Sequence, residues 1–366
     1  MASISEAKNG RREMSILKTT SSTLRFFGGM ILLLFWAGMA TWASEPNDSS
    51  SHGTNIFAPA STPAKSIADL SVFVIAITGI IFVVVFTLLV YAVVKFRSQA
   101  TNTDREPAQV YGSTQIELAW TIIPILIVVV LFLATARVIH ATQDAPEPAG
   151  ALDVIAIGHQ YWWEFRYPKL GIVTANELHI PVSDPSHPTP TFLRLLSGDT
   201  DHSFWVPELA GKTDLIPNHP NRMWMDPQRV GVFLGQCAQY CGTQHAKMLL
   251  RVSVDGPEDF AAWLRTQQRP AVEDAGAIAG RRVFEHNACM NCHSVGGTPA
   301  NGRFGPDLTH LMSRATIAAG AAENTHDNLR LWIQNPGAIK PGSLMPAMKL
   351  SDADLDAVVT YMETLH

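Results

Sequence analysis

The sequence predicts a multidomain membrane protein built from a two-helix transmembrane hairpin, an all-β domain and an all-α domain. Three observations lead to this reading. Two apolar runs of spanning length lie early in the 366-residue chain. Short alternating segments divided by turn residues follow, over 151–255. The last stretch, 275–366, has helical patterns at both ends and loops between them.

Residues 1–43 read as a targeting segment. Arg11, Arg12, Lys18 and Arg25 precede the apolar run Met30–Ala40, and Thr41 and Ala43 are small residues placed for cleavage before Ser44. The region 44–140 then holds a Ser- and Pro-rich loop and two spans, at about 69–94 and 116–139. Pro124 lies inside the second span and is tolerated in a bundle. Lys95, Arg97 and Arg105 sit between the spans, so the positive-inside tendency puts that loop in the cytoplasm. Both flanks, and everything after residue 140, then lie outside. The net charge of -5 with no basic run gives no sign of nucleic-acid binding.

A Pro-rich linker, 141–150, leads to the β domain, 150–266. Its expected strands are Leu152–Ile157, Tyr161–Tyr167, Glu177–Pro181, Thr191–Ser197, Val230–Leu234 and Met248–Val254. A short helix, Glu258–Thr266, and a second linker, 268–274, close it. The last domain, 275–366, should start with a helix over Ala275–His286. A Ser351-x-x-Asp354 capping box opens its final helix, which runs to about Leu365.

The four cysteines form two close pairs. Disulfides are the plain alternative in an exported protein, but each pair sits inside a cofactor pattern. Cys237 and Cys241 are followed by His245 and Met248 within twelve residues. Soft sulfur with imidazole selects copper over hard cations, and Met is a poor zinc ligand. A second imidazole is available from His202, 35 residues upstream in Asp201-His-Ser-Phe-Trp-Val-Pro207. The other pair forms Cys289-Met-Asn-Cys-His293, a C-x-x-C-H motif that attaches haem c through two thioethers and supplies His293 as axial ligand. Met345 and Met348 are candidates for the second axial position, and a bis-His haem using His310 or His326 is the alternative.

These motifs resemble cytochrome c oxidase subunit II with a fused cytochrome c, the arrangement of the caa3-type oxidases. The resemblance rests on H-S-F-W-V-P, C-x-x-x-C-x-x-x-H-x-x-M, E-x-x-W-T-x-x-P at Glu117–Pro124 and C-x-x-C-H, and covers nearly all of the mature chain. It implies a cupredoxin-like copper domain and a class I cytochrome c domain. It implies a binuclear copper A centre bridged by Cys237 and Cys241. His202 and His245 would bind one copper each, Met248 weakly, and Gln239 through its backbone carbonyl. The family's K-P-G-x-x-M-P loop points to Met345 as the iron ligand. Glu117 would mark a proton-uptake entrance. Tyr161 and Trp162 would be electron-receiving aromatics, with Tyr161 where the family commonly has Trp. Gln239 replaces a Glu that reaches a magnesium ion shared with subunit I, so that ion is in doubt here.

The implied function is the electron-receiving subunit of a proton-pumping terminal oxidase. Electrons pass from haem c through copper to haem a of subunit I, where oxygen is reduced. Implied partners are subunits I and III, and a soluble or membrane cytochrome c or a bc1-type complex as donor. The implied location is the bacterial inner membrane, with both redox domains on the extracytoplasmic side. A copper-A-containing nitric oxide reductase is the alternative. Quinol oxidase relatives lose the copper ligands that this chain keeps.

Overall fold

The computed structural model describes residues 54–97, 109, 111–143, 145, 147–184, 186, 188–271 and 274–366. The expected targeting segment, 1–43, and Arg105 lie outside them.

Helices α1 (Thr62–Lys95) and α2 (Thr114–Gln143) are long and apolar enough to cross a membrane. Their side chains between the ends are almost all exposed, including Phe82, Leu88, Trp120 and Phe132. Exposed apolar helices of this kind need lipid or other helices around them. Each is longer than a span needs, so its end can reach the next domain. Helix α1 begins seven residues before its expected span, with Pro63 at its first turn and Ala64 and Ala68 buried. Thr62 Oγ1 donates to Asp226 Oδ2 at 2.9 Å, and the Asp226 amide donates to Ser61 Oγ at 2.9 Å. At the end of α2, Trp224 Nε1 donates to the Thr142 carbonyl at 2.9 Å. The start of α1 and the end of α2 are therefore both attached to the β domain.

The β domain is a sandwich of two five-stranded sheets. One has the order β3 (Ile172–Ala175), β2 (Trp162–Tyr167), β1 (Leu152–His159), β5 (Thr191–Ser197) and β8 (Asn221–Met225). The other has β4 (Glu177–Pro181), β10 (Leu249–Asp255), β9 (Gly231–Cys237), β6 (His202–Trp205) and β7 (Thr213–Leu215). Pairing is antiparallel except for β1–β5 and β4–β10. Between the sheets Trp163, Phe165, Tyr167 and Phe204 are fully buried, with Leu178, Ile180, Leu193 and Val252 around them. Each contributes roughly 1.5–3 kcal/mol by leaving water. Strands β3, β6, β7 and β8 are additional to the six expected. Strand β6 is buried on three of its four residues and so lacks the alternation that announces a half-buried strand. Helix α3 (Pro257–Gln267) closes the domain.

The C-terminal domain packs α4 (Ile278–His286) against α8 (Asp352–Met362). At their crossing a Cβ on Gly280 would stand 1.9 Å from the Ala357 carbonyl oxygen, so only glycine allows this approach. Phe284 meets Tyr361 edge to face at 5.7 Å. Between them lie α5 (Cys289–Cys292), a small ribbon of β11 (Thr316–Ile317) with β12 (Ala322–Glu323), α6 (His326–Gln334) and α7 (Pro336–Ile339). The sequence reading had only loops across this middle stretch. Helix α6 is capped by Thr325, whose side chain accepts from the Asn328 amide.

Candidate copper and haem sites

The copper motif is a long loop between two paired strands. Strand β9 ends at Cys237 and β10 starts at Leu249, and their antiparallel register sets Gln236 opposite Leu249. The Cys237 amide therefore donates across to the Met248 carbonyl at 2.9 Å. A one-turn 3-10 helix, His245–Lys247, folds the loop back. His202 arrives from β6, which pairs with β9 through Phe204 opposite Cys237. Residues two apart on a strand share a face, so His202 projects beside the cysteine.

The donor atoms converge. The Cys237 and Cys241 sulfurs are 3.9 Å apart, far beyond the 2.05 Å of a disulfide. His202 Nδ1 lies 3.9 Å from the Cys237 sulfur, and His245 Nδ1 lies 3.8 Å from that of Cys241. Met248 Sδ is 3.8 Å from the Cys241 sulfur, and the Gln239 carbonyl oxygen is 3.1 Å from that of Cys237. His202, Cys237, Cys241 and Met248 are buried. His202 Nε2 is 2.7 Å from Asp199 Oδ1, which turns Nδ1 toward the sulfurs. Asp199 also accepts from the Gln160 and Thr200 amides at 2.6 Å each.

The two thiols share their protons unequally. The hydrogen bond from Cys241 pulls the Cys237 thiol down to about 3, against burial and with help from His202. Cys241 is pushed well above the ordinary thiol range by that same bond and by burial. A buried anionic sulfur ringed by imidazole and thioether fits a soft cation.

Tyr161 and Trp162 lie beside this loop and are half-buried. The Tyr161 hydroxyl oxygen accepts from the Thr243 amide at 3.1 Å, and Gln160 Nε2 donates to the Cys241 carbonyl at 2.6 Å. Trp162 stacks on His159 at 4.4 Å. Gln239 is exposed, as is Glu117, in the first turn of α2.

In the C-terminal domain α5 is a single turn, which brings Cys289 and Cys292 to one side. His293 follows it. Its Nδ1 is 2.8 Å from the Pro306 carbonyl, an acceptor only, so Nδ1 carries the proton and Nε2 keeps the lone pair a metal needs. Burial pushes the His293 imidazole below its ordinary value, which favours this neutral form. A Cβ on Gly305 would stand 2.6 Å from His293 Cε1, so glycine here leaves the ring its place. Arg314 is buried and donates through Nη2 to the Asp307 carbonyl at 2.6 Å, while its buried Nε has no partner. An unused buried guanidinium N–H fits an anionic carboxylate such as a haem propionate. Met345 is half-buried against the domain core.

Both histidines of the bis-His alternative are engaged elsewhere. His310 is buried with Nδ1 2.7 Å from the His366 carbonyl and Nε2 3.1 Å from that of Arg269. His326 pairs with Glu363 at 2.9 Å. Sequence reading missed Asp199, Arg314 and Lys340. Asp199 could have been found, because a carboxylate three residues before a ligand His is within reach of its ring.

Three family profiles divide the chain. "Cytochrome C oxidase subunit II, transmembrane domain" matches residues 49–138, "Cytochrome C oxidase subunit II, periplasmic domain" matches 152–254, and "Cytochrome c" matches 277–366. Relatives named cytochrome c oxidase subunit 2 align along most of their length. The one from Alkalihalophilus pseudofirmus is 35% identical over 315 residues, 84% of this chain and 89% of that relative. That of Bacillus sp. (strain PS3) is 32% identical over 290 residues, 74% and 80%. That of Bacillus subtilis is 30% identical over 327 residues, 83% and 90%. With a hairpin of membrane-spanning length, a β-sandwich in which soft donor atoms converge and a C-x-x-C-H domain, the chain belongs to the cytochrome c oxidase subunit 2 family, with a cytochrome c domain fused behind the periplasmic domain.

Proposed function

We propose that this chain receives electrons at a covalent haem c and relays them through a binuclear copper A centre to haem a of oxidase subunit I. Haem c would be held by Cys289 and Cys292 as thioethers and by His293 and Met345 on iron. The copper pair would be held by Cys237, Cys241, His202, His245, Met248 and the Gln239 carbonyl. When bound, these groups supply one-electron chemistry with no proton transfer at the metal. The convergence of six donor atoms, two of them a buried sulfur pair, carries the reading.

The chain's own residues set the conditions for that relay. Two strands and a closed loop hold the copper donors, so little rearrangement accompanies a change of charge. Asp199 fixes the orientation of His202, and the Pro306 carbonyl fixes that of His293. Arg314 would hold a haem propionate. Burial keeps water from the sulfurs. A Met-plus-His ligand set raises the haem potential, which favours uptake of an electron from the external donor. Gln239 offers no carboxylate charge, so the magnesium of the resemblance is weakened or altered here.

Oxygen reduction and proton pumping would belong to subunit I, with subunit III beside it and a cytochrome c or bc1-type complex as donor. The redox domains would face the extracytoplasmic side of a bacterial inner membrane. Glu117 would mark proton uptake, in keeping with its place at the end of α2 away from the β domain. Absorption and EPR spectra of the purified complex test the relay. A low-spin c haem and a mixed-valence copper pair are expected, with the copper signal lost in Cys237→Ala and the haem signal kept. A copper signal that survives Cys237→Ala overturns the ligand assignment. Assay of oxygen against nitric oxide separates the oxidase from the reductase.

A further inference from the structure

The loop that precedes Met345 exposes Pro341, Gly342 and Leu344, but its start is tied down. It is pressed onto the copper loop. Three successive residues are gripped there. Lys247 Nζ donates to the Ile339 carbonyl at 2.8 Å. Gln244 Nε2 donates to the Pro341 carbonyl. Between them Lys340 turns inward, 3% exposed, and its Nζ donates to the Tyr161 carbonyl at 2.7 Å and the Ala318 carbonyl at 3.1 Å. Tyr161 belongs to the β domain and Ala318 to the cytochrome domain, so one ammonium ties both to the methionine loop. A second contact patch stands nearby. The buried Glu177 carboxylate of β4 accepts from the Ala315 amide at 3.1 Å and from the Thr316 amide and hydroxyl at 3.0 Å each. The Leu249 amide donates to the Ala319 carbonyl at 3.1 Å.

Among the described residues no carboxylate lies within ion-pair distance of Lys340. A buried cation satisfied by carbonyl dipoles alone is a poor source of stability, because desolvation offsets its hydrogen bonds. What such a group does provide is one arrangement out of several, since the hydrogen bonds are met only when three separate backbone segments hold their places. The gripped loop lies on the side of the copper ligands, since Gln244 precedes His245 and Lys247 precedes Met248.

We propose that Lys340 is the positioning residue that docks the methionine loop of the cytochrome domain onto the copper loop, so that haem and copper work at one fixed separation. This rests on the relay proposed above. In the step concerned one electron leaves reduced haem c, leaving it oxidised, and is taken up by the oxidised copper pair; no bond forms or breaks and no proton moves. The Tyr161 carbonyl is occupied by this docking, so the aromatic that would receive electrons from a separate donor becomes part of the internal junction.

Lys340→Met tests this in the full-length complex. Methionine has nearly the same length and no charge, so the domain keeps its packing while the two hydrogen bonds go. Amide exchange over 316–320 and 339–348 should rise roughly tenfold. The haem-to-copper transfer rate, read after photoinjection of one electron at the haem, should fall roughly tenfold or more, because a small misplacement is amplified in rate. Haem absorption and copper EPR should not change. Lys340→Arg keeps charge and donors and should restore part of both quantities. Lys247→Met, at an exposed position with one hydrogen bond to the same loop, should shift both in the same direction by less, and serves if Lys340→Met does not assemble. Exchange and transfer within about twofold of the unaltered protein overturn the proposal. Absence of haem or copper spectra in the unaltered complex would instead overturn the relay itself.

Discussion

Glu164 is a buried carboxylate between an imidazole and a guanidinium, with His159 Nε2 at 3.0 Å and Arg166 Nε at 2.5 Å. Burial pushes its carboxyl up, but the hydrogen bonds from His159 and Arg166 outweigh this and hold it below the ordinary glutamate range. A depressed carboxyl stabilises the fold above the unfolded value of about 4.3, and that contribution is lost as pH falls through the lower folded value. Glu164→Gln should therefore lower the thermal midpoint at neutral pH and flatten its decline on acidification; parallel midpoint-against-pH curves would refute this. Asp199 would act on the proposed copper pair through the ring of His202. Asp199→Ala should weaken copper retention against a chelator by roughly 10–100-fold, the usual cost of losing a ligand's orienting partner. The absorption of haem c should not move. Retention equal to the unaltered protein would show that β6 holds His202 unaided.

At the scale of elements, the cytochrome domain depends on one helix crossing. Gly280→Val would force a side chain into the Ala357 carbonyl, where even a Cβ stands at 1.9 Å. Helices α4 and α8 must then separate, at about 1–3 kcal/mol or more. The expected result is a lower melting transition for the haem domain with copper EPR preserved. Helix α8 starts at a cap, with Ser351 Oγ accepting from the Asp354 amide at 3.2 Å. Ser351→Ala should cost about 1 kcal/mol, a smaller shift of the same transition. These elements were readable in the sequence because each carries a local signal. Strands β6 and β7 were not: β6 is almost wholly buried and β7 is three residues long, so neither shows a period. Strand β8 does alternate, with Met223 and Met225 buried, but Pro220 and Pro227 beside it read as loop.

For the molecule as a whole, the hairpin sets the two ends of α2 apart by roughly 45 Å, at 1.5 Å per residue over thirty residues. Gln143 closes the helix beside the β domain and Glu117 opens it at the other end. Glu117→Gln in the assembled oxidase should slow turnover while leaving copper and haem spectra unchanged. Unchanged turnover would refute its role in proton uptake. The β domain is tied to the hairpin through Asp226 and Trp224, and the cytochrome domain is tied to the β domain through Lys340. Glu177, Lys340 and Gln267, which donates to Ser313 at 3.3 Å, join the β domain to the cytochrome domain.

By itself the sequence determined the spans, the two domain classes and the grouping of each cysteine pair with its nearby soft ligands. Those follow from local facts: apolar length against bilayer thickness, strand and helix periods, and soft ligands at short spacing. Tertiary structure decided what is separated in the chain and joined in space. His202 reaches Cys237 only through the β6–β9 register. Asp199 and Arg314 gain meaning only from the ring or the vacant N–H they present. His310 leaves the list of iron ligands because two distant carbonyls take its nitrogens. Lys340, 179 residues from Tyr161, reads in the sequence only as the first residue of the K-P-G-x-x-M-P loop. No local pattern could have placed it at the junction of two domains, because its partners there are backbone carbonyls, which every residue carries.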